Sequence, residues 1–76
     1  MEKKSIEYRK KQGYSETKPD KEGLWLMVCD EGGNIADYIA ITKRGETLMT
    51  HGEDSCVCDL DSLHNGLIYV MWKFIA

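Results

Sequence analysis

No apolar run in this sequence is long enough to cross a membrane. The longest cover residues 24–29 and 67–72, against the ~20 residues that a spanning helix needs. The leading stretch, Met-Glu-Lys-Lys-Ser-Ile-Glu-Tyr-Arg-Lys-Lys, carries charge and no apolar core, which argues against a secretory signal peptide. A cytoplasmic setting is the expectation. Cysteine is scarce and odd in number, with two of the three in Cys56-Val57-Cys58. That is no disulfide framework, so reduced thiols are expected. Proline occurs once, at Pro19, and there is no internal repeat or low-complexity segment. Nucleotide-type phosphate loops and Asp-x-Asp-x-Asp-Gly calcium loops are both missing. Gly32-Gly33 and the acids Asp30, Glu31, Asp59 and Asp61 therefore carry no such chemistry on their own.

What remains is enough chain for one domain. At 76 residues it buries only about 60% of its unfolded surface. A dimer, a metal or a partner would add support. The charge is uneven. Residues 1–23 hold seven Lys and Arg against five Asp and Glu, whereas residues 24–76 hold three against eight. An acidic body argues against binding nucleic acid by phosphate neutralisation.

The pattern turns on residues 23–41, where two apolar runs flank Asp-Glu-Gly-Gly-Asn. This is a hairpin signal, because Gly and Asn accept the positive φ that short hairpin loops require. Strands are expected at 24–29, 35–42, 47–51 and 67–75, with a short one at 56–58. Lys43-Arg44-Gly45-Glu46 reads as a second hairpin turn. Residues 59–66 read as a helical turn, with Asp59 or Asp61 as N-cap and Gly66 beyond its end. Residues 1–12 read as a helix or arm and 13–23 as a loop. The expected fold is β-rich α+β: an antiparallel meander of four to five strands, as a sheet or small open barrel. Residues 1–23 form the arm and loop, and 24–76 the β domain. The core expected from strand alternation is Leu24, Leu26, Val28, Ile35, Ile39, Ile41, Leu48, Leu63, Ile68, Val70, Trp72 and Phe74.

Three sets of residues could carry function. His51, Cys56, Cys58 and His64, with Cys29 further off, are zinc-ligand types, but Cys-x-Cys is not the usual knuckle spacing. A zinc-stabilised domain is one reading. A nucleophilic Cys58 served by His51 or His64 would sit among Glu53, Asp54, Asp59 and Asp61, whose field opposes a thiolate, so no enzyme is expected. Trp25, Tyr38, Tyr69 and Trp72 could stack nucleic-acid bases, giving a small nucleic-acid-binding domain with a basic arm as a further alternative. The leading reading is protein contact. Both faces of the first and last strands are apolar, and Trp25, Met27, Tyr69 and Met71, with Tyr38, form the expected contact surface or homodimer interface.

Gly23-Leu24-Trp25, Asp30-Glu31-Gly32-Gly33 and Gly66-Leu67 onward to Trp72 resemble the Gly-x-Trp strand, Asp-x-x-Gly hairpin and apolar C-terminal strand of short accessory proteins of phages and prophages. The likeness covers residues 23–76. It implies a role in binding and inhibiting or regulating a host protein, and it carries over no cofactor or catalytic residue.

Overall fold

The computed structural model describes residues 2–30, 32–51, 53–67 and 69–76, and the side chain of His51 lies outside the description. The element order is α1 (Lys3–Lys11), β1 (Gly23–Asp30), β2 (Ile35–Lys43), β3 (Glu46–His51), β4 (Asp54–Asp59), α2 (Leu60–Gly66) and β5 (Tyr69–Phe74). The five strands form one open sheet in the order β4-β3-β2-β1-β5, every neighbouring pair antiparallel. The open sheet settles the choice between sheet and barrel. Strands β1 to β4 follow as a meander. The chain then crosses back through α2 to place β5 on the far side of β1.

Local chemistry sets the turns. Asp30 ends β1 and its carboxylate accepts the Gly33 amide at 2.9 Å, an Asx-type closure of the first hairpin. Arg44 and Gly45 both take positive φ, 54° and 81°, as a two-residue hairpin loop of the primed type requires. Asp59 caps α2, its carboxylate accepting the Ser62 amide at 3.0 Å. Arg9, Lys10 and Lys11 occupy the last turn of α1, where positive charge suits the helix dipole.

The two faces of the sheet are covered unequally. On one face α2 closes over Trp25, Met27, Cys29, Ala40, Met49, Val70 and Trp72, contributing Leu60 and, half-buried, Leu63. On the other, α1 and the segment after it cover only the β1–β5 half. There Tyr14 packs with Val28 and Met71, joined by Ile6, Leu26 and Tyr69.

This arrangement corrects the core expected from alternation. Val28, Val70 and Trp72 are buried, and Leu24, Leu26 and Leu63 half-buried. Ile35, Ile39, Ile41 and Leu48 instead face outward, at 47%, 50%, 47% and 37% exposure, with Phe74 also at 37%. Ile68 lies outside the described residues. The reason is shape. On β2 the face beneath α2 carries Ala36 and Ala40, and Ala40 sits directly between Trp25 and Met49. Small residues make room for a tryptophan from the next strand and for a helix above. The bulky Ile39 and Ile41 of β2 are left on the part of the opposite face that α1 does not cover.

Gly23 is needed where β1 meets the C-terminal residues. Its φ is 146°, and a Cβ there would stand 2.6 Å from the Ala76 carbonyl oxygen and 2.8 Å from the Phe74 ring. The same segment bonds back to β1 through the Leu24 amide to the Ala76 carbonyl and the Ile75 amide to the Leu24 carbonyl, both 2.8 Å. Gly23→Ala is therefore expected to destabilise the fold by at least about 1 kcal/mol, read as a lower midpoint in urea unfolding.

Candidate protein-binding face

The residues expected to form a contact surface are mostly interior. Trp25, Met27 and Met71 are buried. The Trp25 indole N–H donates to the Lys21 carbonyl at 3.2 Å, and its ring meets Phe74 edge-on at 5.0 Å. Tyr38 packs half-buried against the α2-side cluster. Tyr69 packs half-buried on the α1 side. The five do not share a face either. Met27 lies opposite Trp72, and Val28 opposite Met71. Directly opposed residues share a face, so Trp25 and Met27 lie under α2 while Tyr69 and Met71 lie under α1.

Of the metal-ligand types, His51 has its side chain outside the described residues. Cys56 and Cys58 are neighbours on β4, their sulfurs 3.6 Å apart, and Cys29 is in the core. His64 on α2 accepts the Trp72 indole N–H through Nδ1 at 3.0 Å, so that nitrogen has a structural bond. Among the described residues no three His, Cys, Asp or Glu side chains converge on one point. The Cys58 thiol is pushed above its ordinary pKa by its bond to Cys56, and then by burial, which keeps it in the weakly nucleophilic protonated form. Of the paired carboxylates, Asp59 caps α2 and Asp61 pairs with Lys18.

The surface that stands open is the other half of the α1-side face. Ile41 on β2 lies directly opposite Leu24 on β1 and Leu48 on β3, and Leu48 lies opposite Val57 on β4. Leu24, Ile41, Leu48 and Val57 thus form one apolar row across four strands, with Val57 at 66% exposure. Ile39 adds to it from the adjacent row. Lys43, Arg44 and Glu46 share a shallow depression with Ile41, Leu48 and Val57. At the opposite border Arg9 of α1 pairs with Asp37 at 2.9 Å. Ile35 lies beside Lys4, Ser5, Tyr8 and Arg9 there. The result is an apolar centre with a charged rim, the usual anatomy of a protein contact surface.

Sequence reasoning missed this face because it assigned the isoleucines to the core. The signal that could have found it is the alternation of β2, where Ala36 and Ala40 mark the side on which something large packs.

The α1 side is held by a polar network. The Tyr69 hydroxyl donates to a Glu16 carboxylate oxygen, and Lys10 pairs with the same oxygen at 3.2 Å. Burial, and then Glu16, push the Tyr69 phenol up to about 12, while the Tyr69 hydrogen bond, and then Lys10, hold Glu16 below its ordinary value. The folded state keeps the phenolic proton that the unfolded chain releases near pH 10. Stability from this group is complete below about pH 10 and declines as the pH climbs toward 12. A spectrophotometric titration should show a tyrosine ionising near pH 12, and Tyr69→Phe should abolish that step.

No family model, curated protein or solved structure matches this chain.

Proposed function

We propose that the chain is a non-enzymatic protein-binding module whose contact surface is the apolar row Leu24, Ile41, Leu48 and Val57 with Ile39 beside it. The observation that carries this reading is the exposure of large β-branched and aliphatic side chains side by side on one sheet face. Apolar surface gathered this way gains free energy when a partner covers it, at roughly 25 cal/mol per Å². The charged rim gives such a partner orientation: Lys43 and Arg44 flank one side of the row, and the Arg9–Asp37 pair lies beyond Ile39 on the other. The resemblance to phage accessory proteins makes the partner a host protein that is inhibited or regulated by the contact.

A double substitution tests this. Ile41→Lys with Leu48→Glu puts opposite charges on directly opposed positions, which a sheet tolerates, so unfolding stability should change by less than about 1 kcal/mol. Proteins retained from host-cell lysate by the wild type and by a Tyr69→Phe control should be lost by the double variant. Retention of the same proteins by all three would place the contact elsewhere.

A further inference from the structure

The two edges of the sheet are not alike. Beyond β5 the edge is occupied, because the Ser15 amide and carbonyl both bond to Trp72, each at 2.8 Å. Beyond β4 no strand follows among the described residues. The phase of that open edge can be read from one bond. The Leu60 amide donates to the Gly45 carbonyl at 2.9 Å, continuing the register in which Asp59 lies opposite Glu46. In an antiparallel ladder, alternate residues turn both backbone groups to the same neighbour. Asp54, Cys56 and Cys58 therefore bond toward β3, and Ser55, Val57 and Asp59 point outward.

We infer that a second copy of this chain pairs with β4 antiparallel to it, about a twofold axis at Val57. In this register Val57 faces its symmetry mate, Ser55 faces Asp59, and Cys56 faces Cys58. The Val57 and Asp59 amides and the Ser55 and Val57 carbonyls close four hydrogen bonds, while the Asp59 carbonyl starts the α2 ladder. Within Asp54–Asp59 no carboxylate opposes another. A slip by one pleat in one direction sets Glu53 against Asp59, twice. A slip in the other direction runs Ser55 against Asp61, which is already inside α2. Charge thus disfavours the first slip and the start of α2 shortens the second, which leaves the register centred on Val57.

Pairing also has a consequence for the open face. The row Leu24, Ile41, Leu48 and Val57 meets its own copy at the axis and becomes a single apolar row across eight strands. This extends the surface assigned above to partner binding but does not depend on it, since edge pairing uses backbone groups.

Cys56 and the facing Cys58 occupy a non-hydrogen-bonded pair, with Cα atoms about 4.5 Å apart, inside the range a disulfide spans. The thiols therefore report the register. With diamide as oxidant, each disulfide forms as two thiols give up two protons and two electrons to the diazene, which becomes the hydrazine. Light scattering should give twice the 8.7 kDa chain mass, and diamide should trap that dimer covalently. Cys56→Ser alone and Cys58→Ser alone should cross-link poorly, and a mixture of the two should cross-link well. Val57→Pro removes an outward amide and leaves the β3 ladder intact. It should run at the monomer mass with an unchanged circular dichroism spectrum, and Val57→Lys should do the same. A wild-type chain that stays at monomer mass at millimolar concentration overturns the inference. So does a dimer that survives both Val57 substitutions, or efficient cross-linking by either single-cysteine variant alone. The Ile41→Lys, Leu48→Glu variant leaves the β4 backbone untouched and should still run as a dimer, so edge pairing and partner capture fail independently.

Discussion

Met27 lies opposite Tyr38 on one side and opposite Trp72 on the other, and the remaining structure depends on this double pairing of β1. A strand bonded along both edges has its backbone polar groups satisfied without water, so it can be fully interior. Met27, Val28 and Cys29 are accordingly at or near zero exposure. The pairing with β5 is the part that local sequence does not supply. It joins residues 39 to 49 positions apart, and α2 is the segment that carries the chain across the sheet to make it. Trp72 then seals the crossing, buried beneath α2 and bonded to His64.

Coverage is the limiting resource in a fold of this size. α1 has nine residues and α2 seven, so at ~1.5 Å per residue neither is much longer than ~10–14 Å. Five strands at ~4.8 Å spacing present a sheet roughly 20 Å wide. α2 takes the face with the tryptophans. α1 takes half of the other, tied down by Tyr14, by the Arg9–Asp37 pair and by the Tyr69–Glu16–Lys10 network. The Ile41–Leu48–Val57 side of that face is what two short helices cannot reach. An exposed apolar surface here follows from the geometry of coverage, and its charged rim separates it from ordinary scattered exposure.

The same economy distinguishes the sheet edges. One residue after Tyr14 suffices to occupy the β5 edge, because Ser15 lies alongside Trp72 and presents both backbone groups. Among the described residues β4 has no equivalent. Its central Cys-Val-Cys offers neither proline nor lysine nor a bulge, the devices by which edge strands usually refuse further pairing.

Much of the architecture was legible in residues alone. The hairpin at Asp30–Gly33, the turn at Arg44-Gly45, the Asp59 cap and the apolar strands are encoded within a few positions of each other, where alternation, positive φ and capping act directly. The antiparallel direction of the strands, and their number to within one, followed from these local signals. Which face would be core did not. β1 is apolar on both sides, so its pattern is satisfied by either arrangement, and the choice rests on where α2 and α1 land. That depends on Trp25 fitting over Ala40 and on Tyr14 filling the space beside Met71. Alternation therefore identified the two faces of β2, Ile39 and Ile41 on one and Ala36 and Ala40 on the other. Only the packing of helices from distant parts of the chain decided that the alanines go inward and the isoleucines face out.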